Sequence, residues 1–164
     1  MNGVLSVILT GIGATLVMDG WGAIRKPLLG VPAPDYALVG RWVGHMMKGT
    51  FRHDRIAAAS PVAGERALGW SVHYITGVVF AAGLIYIVGF EWLRSPTLGP
   101  ALMFGVGTVA APFFLMQPGM GAGVATSHTP NPGAARLQSL ITHAVFGLGL
   151  WVAASVMLLA QDRA

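Results

Sequence analysis

Four long stretches of this chain carry almost no charge, and that feature decides what it can fold into. They run from about Val4 to Ile24, Leu68 to Phe90, Leu98 to Met116 and Leu137 to Ala160. Each is close to the roughly 20 apolar residues that a helix needs to cross a bilayer. Lipid offers the backbone no hydrogen-bonding partner, so all four are expected to be helices. Charged residues make up 10% of the 164, against 54% apolar ones, and most of them gather between Arg25 and Arg66. A soluble domain of this size would spread its charge over its surface. The expected fold class is an all-α membrane protein, four transmembrane helices in a bundle, with residues 1–164 forming one integral membrane domain.

The third helix is the least regular. Pro100 falls in its first turn, where proline is tolerated, whereas Pro112 lies inside and should kink it before Gln117-Pro118-Gly119 ends it. The stretch between the first and second helices is too long for a simple turn. Within it, residues 36–48 read as an amphipathic helix, with Val39, Trp42, Val43 and Met46 on one side and Arg41, His45 and Lys48 on the other. That pattern suits a helix in the headgroup plane, placing Arg41, Trp42, His45 and Lys48 at the membrane surface. Gly49 to Arg66 reads as an ordered loop.

Met1-Asn2-Gly3 has no basic run, and the first apolar stretch passes into Asp19 and Trp21 rather than a small-residue cleavage site, so a retained helix is expected rather than a signal peptide. Arg25, Lys26, Arg41, Lys48, Arg52, Arg55, Arg66 and Arg136 fall on the side of the odd-numbered loops, against Arg94 and Arg163 on the other. The positive-inside rule then puts those loops in the cytoplasm and both termini on the outer side of the membrane, the periplasmic side if that membrane is an inner one. The formal net charge of +4 flanks apolar segments, which favours the lipid bilayer and its anionic headgroups as partner over nucleic acid.

There is no cysteine, so thiolate metal sites, iron–sulfur ligation and cysteine nucleophiles are excluded. No Gly-x-Ser-x-Gly, no P-loop and no pair of facing carboxylates occurs, and the chain is expected not to be an enzyme. Gly119 to Gly123 reads as a flexible turn, and His45, His53 and His128 as exposed loop histidines. Asp19 is the one carboxylate inside an apolar span, where ionisable groups cost roughly 2.5 to 3.5 kcal/mol and face the protein interior. It ends a ridge of small residues, Gly11-Thr15-Asp19, at the spacing on which helices approach closely. His73 and His143 lie on similar ridges, Gly69-His73-Gly77 and Ser139-His143-Gly147. Counting depth from the cytoplasmic ends brings Asp19, His73, Gln117 and His143 to one level.

Such a polar layer has three readings. It is a hydrogen-bonded network that sets helix register and needs no ligand; or a divalent-metal or proton site, with Asp19, His73 and His143 as ligands; or a haem b site, with His73 and His143 as axial ligands and the flanking glycines making room for the macrocycle. No cofactor follows from any motif. Arg66, His73 and Gly77 recur as Arg136, His143 and Gly147, and Gly11 and Gly13 as Gly105 and Gly107, a pattern that fits a two-helix duplication.

The runs Gly13 to Asp19, Asp35 to Trp42 with Gly44-His45, Gly64 to Trp70 with His73-Tyr74, Pro112 to Pro118, and His143 to Leu150 resemble, almost end to end, a bacterial family of small membrane proteins of about this length that carry a domain of unknown function. The resemblance implies a four-helix inner-membrane protein with Asp19, His73, Gln117 and His143 in recurrent motifs, and implies no activity. The expected role is a non-catalytic accessory or interaction subunit, within a larger complex or as a homodimer joined by the glycine faces of the first and third helices. The alternative is handling of a small solute, proton or divalent metal; an electron carrier binding haem or quinone is the third class.

Overall fold

The computed structural model describes residues 2–161. Arg163, counted above for orientation, lies outside them. Helices and turns make up the described residues, with no strand among them. Five helices matter here: α1 (Gly3–Leu29), α2 (Tyr36–Met46), α3 (Glu65–Val88), α4 (Leu98–Gly119) and α5 (Pro132–Gln161). All but α2 are long and apolar enough to cross a membrane. Large apolar side chains along them, among them Leu16, Ile75, Tyr86 and Met103, are exposed, as a lipid-facing surface requires.

Several ends fall outside the expected bounds, each for a local reason. α1 runs past Ile24 to Leu29 because Arg25, where charge was expected to end the span, is buried: its guanidinium donates to Thr142 Oγ1 at 3.2 Å and to the Pro32 carbonyl at 2.6 Å. Gly30, at φ 68°, then closes the helix with its N–H on the Lys26 carbonyl. α2 stops at Met46 rather than Lys48, with Thr50 N–H returning to the His45 carbonyl at 3.0 Å. α3 starts at Glu65 rather than Leu68, since the Glu65 carboxylate accepts from Val62 N–H at 2.9 Å, and it stops before Gly89, at φ 84°. α5 starts at Pro132 rather than Leu137: Asn131 Oδ1 accepts from Ala134 N–H at 3.2 Å, and proline suits the first helical position. In α4 the expected disturbance at Pro112 is a π-type turn over Pro112–Met116, after which the helix continues through Gln117–Gly119 instead of ending.

The chain divides into two compact units. The first takes Met1–Ala33, Tyr74–Thr108 and Ile141–Ala164; the second takes Pro34–His73 and Val109–Leu140, so that α3, α4 and α5 each contribute to both. In the first unit Val7, Ala14, Leu84, Ile85, Trp92, Ala101, Phe146, Leu150 and Ala154 form the core. Backbones meet there at glycine. A Cβ on Gly11 would lie 2.5 Å from Val78 Cα, one on Gly77 would strike Thr15 Oγ1, and one on Gly105 would strike the Gly147 backbone. Gly11, Gly13 and Gly105, expected to offer a face to a second copy, are thus taken up by contacts within the chain; beside Gly107 the space is open.

In the second unit α2 lies against the start of α3, with Gly40 on the Glu65 carbonyl and Gly69 on that of Tyr36. Arg41 grips Glu65 with two bonds, Nε to Oε2 at 2.8 Å and Nη2 to Oε1 at 2.7 Å, and Nη1 donates to the carbonyls of Ala57 and Ala59. These bonds to Glu65 raise the Arg41 guanidinium above its ordinary pKa, against the opposing effect of desolvation. His45 Nε2 lies 2.9 Å from the Ser60 carbonyl, and the buried Trp42 donates from Nε1 to the Phe51 carbonyl at 3.0 Å. Arg41, Trp42 and His45, expected at the membrane surface, thus also hold the following loop. Only Lys48 of that set is exposed.

Candidate functional site

The four residues expected in one polar layer are divided between the units, Asp19 and His143 in the first and His73 and Gln117 in the second. Tyr74 donates its hydroxyl to Asp19 Oδ2 at 2.9 Å in the first unit. There too, Thr108 donates to the Gly105 carbonyl at 2.6 Å and meets His143 Nδ1 at 2.8 Å. A hydroxyl has one hydrogen, so with that hydrogen on Gly105 it is His143 Nδ1 that donates. In the second unit the His73 ring is stacked on Tyr36 with centroids 4.0 Å apart, and Gln117 Oε1 is buried without a hydrogen-bond partner. Among the described residues no three His, Asp or Glu side chains are grouped closely enough to hold a metal ion. Nor do the glycines make room for a macrocycle, since Gly77 abuts Thr15 and Gly147 abuts Ala101 and Leu102. The paired histidines of the suspected duplication sit in unlike surroundings.

A different site lies in the second unit, between the loop that follows α2 and the turn that follows α4. Two backbone bonds join these segments, His53 N–H to the Gly119 carbonyl at 2.9 Å and Ile56 N–H to that of Met120 at 3.0 Å. Gly121 has φ 92° and touches the Asp54 carbonyl, so both its conformation and its neighbour exclude a side chain. The pocket of about 620 Å³ that results is lined by Arg52, His53, Asp54, Ser127 and His128, with Pro118, Gly121, Gly123 and Val124. His53 Nε2 is buried with no hydrogen-bond partner, and its ring meets that of His45 edge-on at 5.0 Å.

One wall is strained. Ala125 (φ 45°) and Thr126 (φ 61°) both adopt the left-handed conformation, which costs a non-glycine residue roughly 1–2 kcal/mol. Neighbours hold them there: Arg136 Nε donates to the Ala125 carbonyl at 2.8 Å, Thr126 Oγ1 to that of Pro132 at 3.2 Å, and Thr129 Oγ1 to that of Thr126 at 2.8 Å. Backbone held this way against its preference is typical of ligand clamps. Gly119 to Gly123 is thus an ordered turn, not a flexible one. Residues 52–54 and 127–128 stand far apart in sequence. The available signal was topological: with four crossings, the first and third loops share one side.

Four membrane-spanning helices and a polar pocket built by two loops define a multi-pass α-helical membrane protein. Residues 8–157 match the family DUF2938, described as a protein of unknown function, and the chain belongs to that family. No curated protein and no solved structure matches it.

Proposed function

We propose that the protein is a non-catalytic membrane protein of the bacterial inner membrane that recognises a small polar solute in the pocket between its first and third loops. The observation that carries this reading is His53 Nε2, buried and unpartnered beside Arg52, Asp54, Ser127 and His128. A buried polar atom without a partner costs roughly 1–3 kcal/mol, which a bound solute would recover. The strained wall supports the same reading. The excess of Lys and Arg on the odd-numbered loops orients the pocket to the cytoplasm and the termini to the periplasm, with exposed Lys48, Arg52 and Arg55 near anionic headgroups.

The test is a thermal-shift screen of the purified full-length protein against anionic, cationic, zwitterionic and neutral solutes. Stabilisation of the wild type that is lost in Arg52→Ala and His128→Ala supports the proposal. Failure of every class to stabilise it refutes the proposal. A second reading, an accessory subunit in a larger membrane complex, is favoured by the local satisfaction of Asp19 by Tyr74 and of His143 by Thr108. Polar contacts of that kind set register without a ligand.

A further inference from the structure

The pocket mixes charges in an uneven way. Arg52, His53, His128 and Ser127 supply hydrogen-bond donors, and Asp54 alone supplies a carboxylate. A sulfate or a carboxylate ion offers acceptors only, so it would satisfy the donors and be repelled by Asp54. A zwitterion such as an amino acid would bring an ammonium group with three N–H donors to a pocket with one acidic side chain. A phosphate that keeps one P–OH matches both parts: its oxygens accept from Arg52, the imidazoles and the serine, and its single hydroxyl donates to Asp54. A phosphodiester has no such hydroxyl once ionised. The volume of about 620 Å³ is far more than the roughly 30 Å³ share of one water, which leaves space for an organic substituent beside Pro118 and Val124.

We infer that this pocket binds a phosphomonoester, with Arg52, His53, Ser127 and His128 as donors to the phosphoryl oxygens and Asp54 as acceptor of the P–OH. The inference rests on the solute-binding reading above and names its ligand class. The group has two sources, a soluble phosphomonoester or the headgroup of a lipid such as phosphatidic acid.

The experiment uses the full-length protein in phosphatidylcholine nanodiscs, titrated calorimetrically with inorganic phosphate, sulfate, acetate and glycine in chloride buffer. Near neutral pH inorganic phosphate, as monohydrogen or dihydrogen phosphate, always keeps a P–OH for Asp54. Phosphate should bind about tenfold or more tightly than sulfate, the usual effect of one charge-assisted hydrogen bond. Asp54→Asn should bring the two oxyanions within about threefold of each other by removing the repulsion, and Arg52→Ala should weaken both. Asp54 is exposed and the exchange is isosteric, so the fold is kept, which an unchanged melting temperature confirms.

Equal binding of sulfate and phosphate by the wild type, or preference for glycine or acetate, overturns the phosphomonoester and leaves the solute pocket standing. No binding by any of the four overturns the phosphomonoester, and the solute pocket then stands or falls with the cationic and neutral classes of the thermal-shift screen. The source is read by doping the discs with phosphatidic acid or, as a diester reference, phosphatidylserine. Weaker phosphate binding in the phosphatidic acid discs alone supports a headgroup ligand, and equal binding in both supports a soluble one.

Discussion

Gly105→Ala tests whether close backbone approach holds the first unit together. The added Cβ would lie 2.6 Å from Gly147 N and 2.9 Å from the His143 carbonyl. Both neighbours are backbone, so no side chain can swing aside. The Cβ would strike Gly147 Cα closer still, so restoring a contact of about 3.5 Å requires α4 and α5 to part by roughly 1.2 Å at this point. Overpacking of this kind costs about 1–3 kcal/mol. The same movement stretches the 2.8 Å contact of Thr108 Oγ1 with His143 Nδ1 beyond bonding range, and interhelical bonds in membranes are worth about 0.6 kcal/mol on average. The expected loss is therefore about 2–4 kcal/mol. It is measured by reversible unfolding in mixed detergent–lipid micelles, followed by tryptophan fluorescence. Gly107→Ala is the control two residues away: its Cβ meets nothing within 4 Å, and the helix propensity of alanine should leave stability equal or slightly higher. Equal losses in the two variants would refute the packing argument.

Three further outcomes are expected. Tyr74→Phe should cost about 0.6–1.7 kcal/mol in the same assay, and its effect should largely vanish on an Asp19→Leu background; additive losses would show that the 2.9 Å contact carries no energy. Arg41→Lys keeps the charge but loses the paired bonds to Glu65 and the reach to Ala57 and Ala59, so limited proteolysis at Arg52 and Arg55 should speed up; an unchanged cleavage rate would count against Arg41 as the clasp of that loop. Ala125→Gly removes the Cβ penalty at φ 45° and should stabilise by about 1 kcal/mol, less the extra freedom of glycine when unfolded. A lower melting temperature would contradict the strain.

The four spans were legible because crossing lipid demands little beyond length and absence of charge, and both are one-dimensional properties. What escaped was whatever depends on a partner distant in sequence. Arg25 looked like the end of a helix, yet Thr142 Oγ1 and the Pro32 carbonyl let its guanidinium be buried inside one. Arg41 and His45 looked like a face for headgroups, because amphipathic spacing separates polar from apolar without saying whether the polar side meets water or the carbonyls of the next loop. The α1 ridge Gly11-Thr15-Asp19 was read correctly as a packing surface: Gly11 meets Val78, Thr15 meets Gly77 and Asp19 meets Tyr74. On α3, however, positions three and four residues before Gly77 lie on nearly the same face, and spacing alone does not choose between Tyr74 and His73. The four-residue count selected the histidine, and the tyrosine one position on donates its hydroxyl to Asp19 Oδ2. The loop pocket escaped for the converse reason. Parity put the first and third loops on one side, and the register of His53 on Gly119 and of Ile56 on Met120 then brings Asp54 and His128 into one lining, a pairing that carries no periodic trace in a single sequence.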